Sequence, residues 1–279
     1  MTIALVLAVN DGAVLASDSM VTITSRGEEL QNYEHGNKIF NLHRRLPIGA
    51  ITWGYGGIGY SSVETLTKDF RQLLENGEQQ LDLTNYSLQT IAERYHEFLT
   101  SKAEEILGKD SAQGVMNRIG FAVVGYAPKS DLPEIWQYKL NKVQLVKDRW
   151  LINGDGGESL FRLIYGMGSK VLHTIFEYVG EKWESFVNEI SDEIWTYKLL
   201  PNPMPIMSVI ELARFLCQVA AGISRFLPGT TTVGGPIEIA TITKHEGFKW
   251  VQRKHFYDLQ LNPQLWLMGL QTLVGRLQQ

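Results

Sequence analysis

Thr2 stands directly behind the initiator Met1. Removal of Met1 would leave a chain that begins with a threonine, so that a hydroxyl and a free α-amine share one residue. A threonine hydroxyl is a weak nucleophile alone, and an N-terminal amine beside it supplies the base that activates it. The unperturbed pKa of such an amine, about 7.7 to 8.0, lies close to working pH. Two of the charged residues within the first forty positions bear on that chemistry: Asp18, at the end of an apolar stretch, and Lys38, in Asn37-Lys38-Ile39-Phe40. The chemistry this suggests is acyl transfer from a terminal threonine. The plainer reading of Thr2 is an ordinary second residue selected for start-site processing.

These residues need strands to hold them. Residues 2–9 are apolar and β-compatible, residues 13–17 repeat that character, and Asn10-Asp11-Gly12 between them is a turn signal, which together predict a hairpin. Neither strand alternates cleanly, so the sheet should be covered on both faces. Side chains alternate across a strand, which makes the hairpin loop decisive. A two-residue loop at Asp11-Gly12 pairs Thr2 with Val21 and turns Asp18 to the opposite face. A three-residue loop, Asn10-Asp11-Gly12, aligns Asp18 with Ala4 on Thr2's face, and the proposed chemistry calls for that second register.

Further strands are expected at 39–42 and 48–53, the latter running into Gly54-Tyr55-Gly56-Gly57-Ile58-Gly59. A helix should follow, with Val63, Leu66, Phe70, Leu73 and Leu74 on its apolar side, and a second at about 87–107. Strands at 119–126, 134–140, 142–146 and 150–152, a helix at 208–226, and strands at 237–243 and 248–253 complete the periodic text. Residues 170–205 read as a helical insertion within a domain spanning 1–255, and 256–279 as a tail with a short helix.

Composition narrows the possible functions. The 279 residues are 44% hydrophobic and 20% charged, with a net charge of −4 and no dense basic run, which argues against a nucleic-acid or anionic-membrane partner. The single cysteine, Cys217, excludes an intramolecular disulfide framework and reads as a small core residue. The six histidines show no paired ligand spacing, and the glycine cluster lacks the Lys-Ser/Thr ending of a phosphate loop, so no metal or other cofactor is expected. No apolar run approaches the ~20 residues of a membrane span, and the apolar start has no basic flank, so the expected location is cytoplasmic.

Taken in order, Thr2, the Asp11-Gly12 turn, Ala16-Ser17-Asp18, Lys38-Ile39-Phe40 and Gly49-Ala50-Ile51-Thr52-Trp53-Gly54 resemble the proteasome β-subunit family and its bacterial relatives among the N-terminal nucleophile hydrolases. The resemblance runs from Thr2 to about Thr243. It implies an α+β fold, a four-layer αββα sandwich with two antiparallel sheets between helical layers. It also implies threonine-type peptidase activity on peptides or unfolded proteins, a self-compartmentalising homo-oligomeric ring, and an ATP-dependent unfoldase as a possible partner.

By the same resemblance Thr2 is the nucleophile, Lys38 the neighbouring positive charge, Asp18 its buried counter-ion and Gly54 the oxyanion donor, while Val21, Phe40 and Thr52 line the substrate pocket. Three positions depart from the family: its serine near Gly154 is Asp155 here, a candidate acceptor for a protonated amine, its late acidic residue falls on Thr231 or Thr232, and its late serine on Gly234. An amidase acting on small amides and a ring scaffold without activity remain as alternatives.

Overall fold

The computed structural model of the protein describes residues 2–25, 28–76, 80–139, 141–154, 203–226 and 233–254. They form a mixed α+β fold in which two antiparallel five-stranded sheets carry most of the core. Strands β1 (Ala4–Val9), β2 (Gly12–Ser17), β12 (Trp150–Asn153), β13 (Glu238–Thr243) and β14 (Gly247–Gln252) make the first sheet, in the order β12-β1-β2-β13-β14. The second has the order β11-β10-β9-β6-β5 and is built from β5 (Ile39–Asn41), β6 (Ile48–Gly54), β9 (Ile119–Gly125), β10 (Glu134–Lys139) and β11 (Lys142–Leu145).

Every residue of β1 and β2 is buried, as their unbroken apolar text requires. One face of the first sheet presents Ala4, Val6, Ala8, Ala13, Leu15, Ala240 and Ile242 to Ile39, Ile51, Ala122 and Val124 of the second sheet, in one apolar cluster. The residues between them along β1, Leu5, Leu7 and Val9, turn the other way and pack on Val209, Ala213, Leu216 and Cys217 of α4 (Ile206–Phe226). The outer face of the second sheet, through Ile48, Ala50, Phe121 and Val123, packs on three helices: α1 (Val63–Asn76), α2 (Leu88–Leu107) and α3 (Lys109–Met116). Burying each such aliphatic or aromatic side chain contributes about 1.5–3 kcal/mol. Helix α2 begins where Ser87 accepts a hydrogen bond from the Thr90 N–H, a satisfied cap.

Two sequence expectations need correction here. The hairpin register is neither of the two foreseen: Val9 pairs with Gly12 and Ala4 with Ser17, so the loop is the two residues Asn10 and Asp11. Strict alternation would then set Asp18 opposite Ile3 and away from Thr2's face. The site escapes that consequence because β2 ends at Ser17, and Asp18 is free to turn its carboxylate without keeping the pleat.

The helix expected at about 87–107 is α2, which ends before Gly108; not anticipated were the separate helix α3 that follows it and the folding of the glycine cluster into a small ladder of β7 (Gly57–Ile58) and β8 (Ser61–Ser62). The second correction concerns α4: its Ile206–Arg225 is long and apolar enough to cross a membrane by length and composition, contrary to the expectation that no such run exists. Its Val209, Ala213, Cys217 and Ala220 stripe is buried against the first sheet. The expected insertion is outside the described residues except for 203–205, and the tail at 256–279 lies wholly outside them, as does residue 155.

Candidate active site

Four chain segments bring the polar residues together. Thr2 precedes β1, Asp18 follows β2, Lys38 precedes β5 and Gly54 ends β6. The Lys38 ammonium donates to Thr2 Oγ1 at 2.9 Å and to Asp18 Oδ1 at 2.6 Å, so one cation joins hydroxyl and carboxylate. Thr2, Asp18 and Lys38 are all buried.

Asp18 has further donors. Its Oδ1 also accepts from the Ile3 N–H at 3.1 Å, and its Oδ2 from the N–H groups of Met20 and Gly234, each at 3.2 Å. Three backbone donors and an ammonium satisfy a carboxylate that would otherwise be costly to bury. Burial pushes the Lys38 ammonium below the ordinary lysine pKa, and the charge and hydrogen bond of Asp18 oppose that shift without cancelling it. Since the ammonium donates to Thr2 Oγ1, the hydroxyl hydrogen is left to point elsewhere.

Gly54 is placed by the strand pattern. The Thr52 N–H bonds to the Lys38 carbonyl at 2.9 Å and the Tyr55 N–H to the Arg118 carbonyl at 2.9 Å. Alternation along β6 therefore directs the Gly54 N–H to the side of Thr52 and Lys38, beyond the point where β5 begins. Gly54 has φ +80, and a Cβ there would fall 2.0 Å from the Arg118 carbonyl oxygen, so only glycine fits. Gly154 is comparable: with φ +81, its Cβ would lie 2.1 Å from the Thr2 carbonyl oxygen.

A cavity of about 680 Å³ opens over this arrangement, lined by Thr2, Lys38, Gly54 and Gly154 together with Val21 and Thr52. Two of the three expected pocket residues are thus present. Phe40 is not: it sits opposite Ala50, two residues farther along β5, and lines a separate 90 Å³ cavity. Of the other two expected residues, Val21 stands at the start of β3 (Val21–Ser25) and Thr52 opposite Lys38. Asp155 lies outside the described residues.

Two charged wall residues were not anticipated. Glu64, in the first turn of α1, accepts from Asn37 Nδ2 at 2.7 Å and Lys68 Nζ at 2.5 Å. Burial disfavours its charge, but the hydrogen bonds from Lys68 and Asn37 outweigh burial and hold its carboxyl below the usual range. Arg118 stacks on the Tyr55 ring, 5.1 Å from its centroid, and donates to the Tyr55 hydroxyl. Nothing in local sequence separates these two from surface charges, because their approach to Thr2 is created by tertiary packing.

Among the described residues no group of three or more His, Cys, Asp or Glu side chains could hold a metal ion. Comparison with known protein families gives no match to this chain, and comparison with curated proteins gives none either.

Proposed function

We propose that the protein is an N-terminal nucleophile hydrolase, a threonine-type peptidase that becomes competent when Met1 is removed. The observation that supports this most directly is the Lys38 ammonium held between Thr2 Oγ1 and Asp18 Oδ1 at the floor of a cavity large enough for a peptide segment. With Met1 gone, the Thr2 α-amine takes the hydroxyl proton and Oγ1 attacks the substrate carbonyl carbon. The new C–O bond leaves an oxyanion facing the Gly54 N–H, a donor whose loss from such a site typically costs about 3 kcal/mol in the transition state.

The scissile C–N bond then breaks, the leaving amine takes the proton from the α-ammonium, and water hydrolyses the ester to restore Thr2. Lys38 supports each oxyanionic stage by charge, and Asp18 keeps Lys38 in place. In this reading the sheets and helices are the four-layer αββα sandwich, and copies of the chain assemble into a ring that encloses the sites. Peptides or unfolded proteins are the substrates, delivered by an ATP-dependent unfoldase.

The test begins with the intact mass of the purified protein, which should equal the chain without Met1. A threonine-directed peptide electrophile should then add one equivalent to wild type and none to Thr2→Ala. Retained Met1 with no adduct on either protein would leave a scaffold and end the peptidase reading.

A further inference from the structure

Behind the Asp18–Lys38 pair lies a second buried ion pair that this chemistry does not use. Lys254, just past β14, and Glu238, first in β13, have side chains that are each 1% exposed. Lys254 Nζ lies 2.9 Å from Glu238 Oε2 and donates to Ser19 Oγ at 3.0 Å and to the Gly36 carbonyl at 2.6 Å. The first is an ion contact, in which neither Glu238 oxygen accepts a hydrogen bond among the described residues, and the other two are hydrogen bonds. Burying a charge this deeply is unfavourable without a partner, and here two lysines meet two carboxylates.

The contacts of Lys254 belong to the segments that carry the site. Ser19 directly follows Asp18; its N–H donates to the Gly234 carbonyl at 3.0 Å and its hydroxyl to the Pro236 carbonyl at 2.5 Å. Gly36 lies two residues before Lys38, and its N–H donates to the Ser19 carbonyl at 2.9 Å. The Asp18 turn and the Lys38 segment are therefore joined at two points, one of them the Lys254 ammonium. Lys254 is not among the residues that line the 680 Å³ cavity.

We infer that Lys254, seated against Glu238, is a positioning residue of the Thr2 site: by holding Gly36 to Ser19 it sets the spacing between Lys38 and Asp18. The role rests on reading Thr2 as the nucleophile. Its effect falls on the rate of bond formation and leaves binding alone, because the lysine itself does not line the cavity and meets its wall only at the Gly36 carbonyl.

The experiment uses the full chain after Met1 removal, labelled with a threonine-directed peptide electrophile over a range of concentrations. Lys254→Met combined with Glu238→Gln removes both charges and leaves neither unpaired. This double variant should label at least tenfold more slowly at saturating electrophile, with an unchanged half-saturating concentration. Its crystal structure should show the Lys38 ammonium displaced from Asp18 or Thr2. Lys254→Arg, which keeps the charge but moves the donors, should show the same split to a smaller degree and serves if the double variant does not fold.

Wild-type labelling in a folded variant overturns the proposal, and so does a loss confined to the half-saturating concentration. If wild type itself takes no label, the nucleophile reading fails, and crystal structures of wild type and variant decide the positioning role alone. Unchanged Lys38 contacts at 2.6 and 2.9 Å would then reject it.

Discussion

The face of the first sheet that meets the second is different at its two ends. Near the β1–β2 turn it is made of Val6, Ala8, Ala13, Leu15 and Ile242, all buried and apolar. At the Thr2 end the same row passes through Asn153, Ala4, Ser17 and Glu238, which are neighbours across β12, β1, β2 and β13. Among the described residues, Asn153 Nδ2, Ser17 Oγ and both carboxylate oxygens of Glu238 have no hydrogen-bond partner, although Glu238 Oε2 lies 2.9 Å from the Lys254 ammonium. A buried group left unsatisfied costs about 1–3 kcal/mol. One end of the layer thus stabilises the fold, while the other spends stability on holding charge and polarity beside Thr2.

Substitutions at the two ends should separate these roles. The largest effect is expected from Asp18→Asn, which leaves the Lys38 ammonium buried without its anion and disrupts the three backbone bonds to the carboxylate. Urea unfolding should report a loss of about 3–5 kcal/mol, together with collapse of electrophile labelling. Full labelling with unchanged stability would remove the distinction between the ends. Leu15→Ala, at the apolar end, should destabilise by about 2–5 kcal/mol through the cavity it opens, yet label normally wherever the protein stays folded. The smallest change is expected from Ser17→Ala: removing an unpartnered hydroxyl should leave stability unchanged or raise it by up to about 1 kcal/mol, readable as a small increase in melting temperature. A marked loss would show that Ser17 has a partner after all.

Much of this framework was legible because it follows from pattern. The hairpin, the β5–β6 pair, helix α2 and strands β9 to β12 all follow from apolar runs and turn residues, which act locally. The meeting of Thr2, Asp18, Lys38 and Gly54 came through the order of motifs along the chain. The register was missed by one residue because Asn10-Asp11-Gly12 suits several loops, and loop choice is decided by pairing energy along the whole ladder.

Phe40 was misplaced since a three-residue strand says little about which side of a cavity its aromatic will meet. Glu238 did carry a signal, a lone carboxylate sharing the inward parity of Ala240 and Ile242 in an apolar strand. Lys254 carried none, as its burial depends on segments far away in sequence.

The close approach of Gly154 to the Thr2 carbonyl oxygen has a consequence for the chain's variation. A single methyl group at position 154 would occupy the space of the Thr2 backbone, and the left-handed conformation there would resist any other residue as well. The position therefore works as a steric gauge: with a side chain at 154, Thr2 has to move before anything else in the site changes.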